Sequence, residues 1–120
     1  MKQMLFAGLM SFLLIPLVWA GKADVINVQV KKVAKQTYNF AVTVRHKDEN
    51  WKHYANRWEI VSLNGNILAT RVLAHPHIHE QPFTRSLNNV KLPIRVKQVK
   101  IRALDIKHKS GGKEILVKLP

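Results

Sequence analysis

Three histidines stand close together in the second half of the chain, and imidazole is a common ligand of transition metals. His75, His77 and His79 alternate with other residues within the segment 73–85. If this segment is extended, the alternation directs all three imidazoles to one side, with neighbours on that side about 6 to 7 Å apart. Two imidazoles at that spacing can reach one metal ion while the third turns in from a loop. The pattern therefore predicts a metal site at these histidines.

Other side chains can complete such a site. Glu80 directly follows the histidines and can supply an oxygen ligand or orient an imidazole. His46, at the end of a predicted strand, and His108, ahead of a predicted turn, are further candidate ligands, because turns from distant parts of a chain gather at one end of a β-sandwich. His53 is a weaker candidate.

The sulfur content of the chain limits the metals that such a site would favour. The chain has no Cys, and its three Met residues all lie within residues 1–20. If these residues are removed, the remaining ligands are imidazole, carboxylate and backbone groups, which favour Cu(II), Zn or Ni over Cu(I). The absence of Cys also excludes a disulfide scaffold, an iron–sulfur site and a thiol nucleophile.

A structural role for the same segment is an open alternative. Histidine is common at half-exposed strand positions, and Pro76 and Pro82 would keep an edge from pairing with another molecule. In that case, we expect Glu80 and Arg85 to form a local ion pair, with Phe83 packed beneath them.

The elements that would position these side chains are β-strands. Apolar and polar residues alternate in many segments, as between Tyr38 and Arg45, and this patterning half-buries a strand. The dipeptide Asn64-Gly65 predicts a tight hairpin turn with both residues at positive φ. The predicted strands are 25–33, 38–45, 58–62, 67–74, 83–87, 96–104 and 115–119.

Seven short strands in about 100 residues predict an all-β domain, an immunoglobulin- or fibronectin type III-like two-sheet sandwich. We expect one domain, residues 21–120, in which 83–87 is an edge strand. The last two strands should form a hairpin, with Gly111-Gly112 in the connecting turn. A small closed β-barrel is the alternative, because hydrophobic periodicity does not distinguish it from a sandwich.

The first twenty residues predict a secretory signal peptide. Lys2 precedes an apolar run from Met4 to Val18, and the compact residues Val18 and Ala20 suit a signal peptidase that cuts before Gly21. The run is shorter than the roughly 20 residues that span a bilayer. We therefore expect cleavage after Ala20, no transmembrane segment after cleavage, and a periplasmic or secreted protein.

The chain is strongly basic, with 20 Lys and Arg against 7 Asp and Glu and a formal net charge of +13. A bulge near Lys97-Gln98 would place Arg95, Lys97, Lys100 and Arg102 on one face, whereas without it only Lys100 and Arg102 share a face. Either face attracts anions. For an exported protein, we expect an anionic envelope surface or an acidic exported protein as partner, and no physiological nucleic acid.

Catalytic motifs are missing from the sequence. The serines lack a nucleophile-elbow context, the acidic residues show no paired arrangement, and no glycine-rich phosphate loop occurs. We therefore expect a non-enzymatic protein without catalytic residues and, apart from a metal ion, without a cofactor.

One stretch carries a family resemblance. The run Arg-Val-Leu-Ala-His-Pro-His at 71–77, followed by Glu-Gln-Pro-Phe-Thr-Arg-Ser-Leu at 80–87, resembles a signature of small, exported, uncharacterised bacterial proteins. With Trp58 upstream and Gly111-Gly112 downstream, this resemblance covers most of the chain after residue 20. It implies a periplasmic-type setting and a common fold, without an established activity or ligand. The segment 92–117 is similar to the closing strands of fibronectin type III domains.

Overall fold

The structure, a computed structural model, describes residues 21–120, and the predicted signal peptide lies outside the described residues. Within residues 21–120, all regular structure is β, as the sequence predicts. The seven strands are β1 (Asp24–Ala34), β2 (Thr37–Arg45), β3 (Ala55–Val61), β4 (Ile67–Val72), β5 (Phe83–Lys91), β6 (Gln98–Asp105) and β7 (Ile115–Lys118). No helix with the length and apolar character needed to cross a membrane occurs in this part of the chain.

The strands form two antiparallel sheets that pack face to face. One sheet has the order β1-β2-β5 and the other has the order β4-β3-β6-β7. Each sheet keeps two edges, so the strands do not close into a barrel and the predicted two-sheet sandwich is confirmed. β5 is an edge strand beside β2, and β6 and β7 form the expected antiparallel hairpin.

The core lies between the inner faces of the sheets. Alternation along β2 points Phe40, Val42 and Val44 inward, and Trp58 and Ile60 of β3 meet them from the other sheet. All five side chains are 0% exposed. Burial of each such side chain contributes about 1.5 to 3 kcal/mol, and the chain has no disulfide to add to this core.

The turn between β3 and β4 differs from the predicted two-residue hairpin. Gly65 has a φ of +91°, but Asn64 is not among the residues with positive φ. The turn is wider because Ser62 holds both sides of it: its backbone N–H donates to the Asn66 carbonyl at 2.8 Å, and its hydroxyl accepts from the Asn66 N–H at 3.0 Å.

The predicted bulge near Lys97-Gln98 is absent, so the basic face contains two of the four residues that the bulge would have brought together. β6 begins at Gln98 and pairs with β7 without a register shift, so Arg95 and Lys97 precede the strand. Lys100 and Arg102 share the outer face of the four-stranded sheet.

The connections gather at the two ends of the sandwich. Segments 21–23, 46–54, 73–82 and 106–114 meet at one end, and segments 35–36, 62–66 and 92–97 meet at the other. All six histidines of the chain lie in the first group of segments. We call this the histidine end, and the other the opposite end.

Candidate metal centre

His46 stands at the centre of the histidine end. It directly follows β2 and is 3% exposed. Its Nδ1 lies 2.5 Å from Oδ1 of Asp48, and its Nε2 lies 2.9 Å from Oδ2 of Asp105. Burial alone would lower the pKa of His46, but the hydrogen bond and charge of Asp48, the Gly21 carbonyl and the charge of Asp105 raise this pKa above its usual value. Both ring nitrogens thus face carboxylate oxygens, an arrangement that favours the imidazolium form.

Asp48 connects three segments of the chain. Besides His46, its Oδ1 accepts from the Ala55 N–H at 2.9 Å, and its Oδ2 accepts from the His77 N–H at 2.7 Å. Burial alone would raise the pKa of Asp48, but the hydrogen bonds from His46, His77 and Ala55 lower it below the usual value. An ionised carboxylate thus connects segment 46–54 to the start of β3 and to segment 73–82. We call segment 73–82, which carries His75, His77 and His79, the histidine segment.

His53 supplies a second imidazole from the same connection as His46. Segment 46–54 folds back on itself through a β-bridge between Asn50 and His53, which turns the His53 ring inward. Its Nδ1 lies 2.8 Å from Oε1 of Glu49, and its Nε2 lies 3.5 Å from Oδ2 of Asp105. A carboxylate on one ring nitrogen fixes the orientation of the other, as in many metal-binding histidines.

Asp105, the last residue of β6, is 0% exposed and draws the imidazoles together. Its Oδ2 also faces Nδ1 of His108 at 3.1 Å, and its Oδ1 accepts from the His108 backbone N–H. Burial alone would raise the pKa of Asp105, but the His108 hydrogen bonds and the charges of His46 and His108 lower it.

Four potential ligand atoms form a ring at this centre. They are Nε2 of His46, Oδ2 of Asp105, Nε2 of His53 and the carbonyl oxygen of Gly21, and neighbouring atoms in this order are 2.9, 3.5, 3.2 and 3.2 Å apart. With metal–ligand bonds of about 2.0 to 2.1 Å, the ligands of a tetrahedral centre lie about 3.3 Å apart and adjacent ligands of a square-planar centre lie about 2.9 Å apart. This group could therefore hold a divalent ion.

Position 21 leaves little room for a side chain. Its φ is +89°, a conformation that side chains disfavour. A Cβ atom there would also lie 2.7 Å from Cε1 of His108, whose ring occupies that space. The absence of a side chain lets the Gly21 carbonyl approach both imidazoles.

A cavity of about 350 Å³ lies beside this centre. Gly21, His46 and Asp48 form one side of it. The rest of the wall comes from Lys22, Asp24, Arg45, Lys47, Ile78 and Gln81.

The histidine segment is arranged differently from the prediction. Segment 73–82 is not a strand, so the three imidazoles do not share one side. His77 is 5% exposed and stacks on Phe83 at 4.0 Å, whereas His75 and His79 are exposed. The His75 and His77 rings lie 4.5 Å apart. The reason is Asp48, whose hydrogen bond to the His77 backbone draws that residue into the interior.

The predicted ligands thus fall into two sets. His46 lies in the convergent group, and His108 contacts Asp105 beside it. Within residues 21–120, the side chains whose ligand atoms all lie within 4.8 Å of one another are His46, His53 and Asp105.

Metal binding by His75, His77 and His79 stays a prediction. Glu80 makes the local ion pair with Arg85, at 3.1 Å, that the structural alternative expects.

Two aspartates of the centre were not identified as candidate site residues from the sequence. Asp48 and Asp105 are far apart along the chain and looked unpaired, yet both flank His46. The available signal was their local spacing to histidine, because Asp48 is two residues after His46 and Asp105 is three residues before His108.

The fold and the site together define a β-sandwich with a buried histidine–aspartate centre at one end. The chain is similar to a protein named "Putative lipoprotein" from Halomicrobium mukohataei, with 32% identity over 96 residues. The match covers 80% of this chain and 47% of the relative, so the chain spans about half of the relative's length. No protein-family model matches the chain. No solved structure matches it either.

Proposed function

We propose that this chain is an exported, non-enzymatic protein that binds one divalent transition metal ion through His46, His53 and Asp105. The observation that carries the proposal is the convergence of their three buried ligand atoms with the Gly21 carbonyl oxygen. Their separations suit a four-coordinate ion.

The donor atoms indicate the class of metal. Two imidazole nitrogens and two oxygens, without sulfur, favour Cu(II), Zn or Ni. Binding replaces the proton on Nε2 of His46, because a metal ligand must be deprotonated. Asp48 keeps its hydrogen bond to Nδ1 and orients the ring. The positive ion also offsets the charges of two buried carboxylates.

The proposed location follows from the predicted signal peptide and from the similar protein of Halomicrobium mukohataei. The apolar run at Met4–Val18 is typical of a signal peptide, and cleavage after Ala20 would release a periplasmic or secreted domain. The name of the relative from Halomicrobium mukohataei, "Putative lipoprotein", supports an exported, envelope-associated setting.

Calorimetric titration with Cu(II), Zn and Ni tests the proposal. We expect one ion per chain for at least one metal, and a loss of affinity of about tenfold or more in His53→Gln. The matched control combines His75→Ala, His77→Ala and His79→Ala. Retained binding in this control, together with weakened binding in His53→Gln, supports the proposed centre. The reverse pattern would move the site to the histidine segment, and equal binding by all variants would refute both.

A second candidate function is the binding of an acidic exported protein by the outer face of the four-stranded sheet. Lys100 and Arg102 lie there beside the exposed apolar side chain of Leu116. Reversal of both charges should abolish salt-sensitive capture of an acidic exported protein, whereas Lys31→Glu/Lys32→Glu on the other sheet should not. Equal capture by the two double variants would contradict this candidate.

A further inference from the structure

We propose that the histidine end is a docking surface for bilayers that contain anionic lipids, with Trp51 as the residue that enters the interface. This proposal goes beyond metal binding and does not depend on it. It rests on an exposed aromatic ring, the charges around it and the place where the chain enters the domain.

Trp51 projects into solvent from segment 46–54 and is 66% exposed. Among the Trp, Tyr and Phe residues of 21–120 it is the one that is exposed, in contrast to Trp58, which is 0% exposed. An indole ring combines a large apolar surface with one N–H group, so it partitions well into the boundary between lipid headgroups and acyl chains.

The loop beneath Trp51 is firmly held. The Trp51 ring rests edge to face against Tyr54, with centroids 5.7 Å apart. The Asn50–His53 bridge closes the loop, and the buried His53 fastens it to the interior. Trp51 is therefore presented on a fixed support, and little conformational freedom is lost when it inserts.

Exposed cationic side chains lie at the same end of the sandwich as Trp51. Lys47, Lys52 and Lys107 are exposed. The nearby Glu49 carboxylate is already engaged by His53, whose Nδ1 lies 2.8 Å from its Oε1. The cations can therefore attract lipid phosphates. Ile78, which is exposed and lines the same cavity as Lys47, adds an apolar side chain to this end.

The point at which the chain enters the domain favours a membrane as the binding partner of this surface. Gly21 lies at the histidine end, where its carbonyl faces the rings of His46 and His53. The apolar run Met4–Val18 joins the domain at this point. If that run enters a membrane during export, as the proposed signal peptide would, the histidine end is the end of the domain that follows it in sequence most closely. The opposite end exposes Leu63 and Ile94, but it has no exposed aromatic ring.

Vesicle binding by the chain processed after Ala20 tests the proposal. Vesicles of equal parts phosphatidylglycerol and phosphatidylcholine should bind the protein, and vesicles of phosphatidylcholine alone should bind it weakly. Emission from Trp51 should shift to the blue and be quenched by brominated lipid, while the buried Trp58 provides a constant background. Trp51→Ala should weaken binding about fivefold or more, and the matched control Leu63→Ala/Ile94→Ala should change it less than about twofold.

A second pair of variants separates specific docking from net charge. Lys52→Glu/Lys107→Glu at the histidine end and Lys35→Glu/Lys97→Glu at the opposite end change the net charge equally. Only the first pair should reduce binding, by about tenfold or more at low salt. Binding that is absent from anionic vesicles, or that depends equally on both ends, would overturn the proposal. Loss of vesicle binding in Leu63→Ala/Ile94→Ala, together with retained binding in Trp51→Ala, would also overturn the proposal.

Discussion

Asp48 is the residue on which the histidine end depends most. Its side chain is fully buried and accepts hydrogen bonds from three separate segments, including the ring of His46. Substitution of one partner in a buried ion pair leaves the other charge uncompensated, which is costly.

We therefore predict that Asp48→Asn lowers the free energy of unfolding by about 3 to 5 kcal/mol. Urea unfolding of the metal-free protein measures this loss. The matched control is Glu80→Gln, whose exposed ion pair with Arg85 should contribute less than about 1 kcal/mol. Similar losses in the two variants would show that Asp48 has no special structural role.

The charges at the centre also predict a pH dependence for the metal-free protein. The folded pKa values of Asp48 and Asp105 lie below their usual values, so their stabilising contribution is full above about pH 4 and is lost as the pH falls through the folded pKa values. The folded pKa of His46 lies above its usual value, so its contribution is full below about pH 6.5 and is lost as the pH rises through that pKa.

The combined contribution of these three groups should therefore be greatest between about pH 4 and 6.5 and should decline on both sides. Denaturant unfolding across this range measures it. A free energy of unfolding that continues to rise from pH 6.5 into the alkaline range would contradict the assignment of His46 as an imidazolium.

The centre could be predicted only in part at the scale of residues. His46 and His108 were accessible because histidines in turns of a sandwich are expected to meet at its ends. The spacing of Asp105 to His108 was a local signal, but its contact with His46 was not accessible, because 59 residues separate the two. His77 looked like a ligand by spacing, yet it is oriented by Asp48 and not by strand alternation.

At the scale of elements, the close contact between the start of β1 and the connection from β6 to β7 controls the geometry of the centre. A Cβ atom on Gly112 would lie 2.0 Å from the Ala23 carbonyl oxygen, so the two backbones can approach only through a glycine. The Lys113 N–H donates to Oδ1 of Asp24 at 2.7 Å, and the Val25 N–H donates to the Lys113 carbonyl at 2.8 Å.

We predict that Gly112→Ala lowers the free energy of unfolding by about 2 kcal/mol or more and weakens metal binding, because it displaces the segment that carries Gly21. Thermal unfolding and calorimetry measure the two effects. Gly65→Ala is the control: nothing lies within 4 Å of its Cβ position, so only the positive φ opposes it, at about 1 kcal/mol and without an effect on the metal. Equal effects of both substitutions would exclude a role for the close contact.

The elements themselves were largely predictable from the sequence. β2 follows from simple alternation, because one of its faces is fully buried and the other is not. The β3–β4 turn was not predicted correctly, since the hydrogen bonds of Ser62 outweigh the local preference of Asn64-Gly65. The number of predicted strands was enough to indicate a sandwich. The assignment of strands to the two sheets was not predictable, because it depends on long-range pairing that hydrophobic periodicity does not reveal.

At the scale of the whole molecule, a bound metal should add to the stability of a domain that has no disulfide. Ligand that binds only the folded state stabilises it by about 2.7 kcal/mol at a free concentration one hundred times the Kd. For a domain of about 100 residues, this raises Tm by roughly 10 °C. Differential scanning calorimetry with the best-binding metal should show this increase, and a chelator should reverse it. His53→Gln should show a much smaller increase, and an equal increase would place the bound metal elsewhere.

The position of the centre at the meeting point of distant segments also affects the order of folding. Its atoms come from the start of the described chain, from the connection after β2 and from the end of β6. Contacts between residues so far apart in sequence form slowly, because a long loop must close before the contact is gained. A chain that emerges from an export channel from its first residue onward can complete this centre only after β6 has emerged. The metal would then bind late and select chains whose sandwich is already assembled.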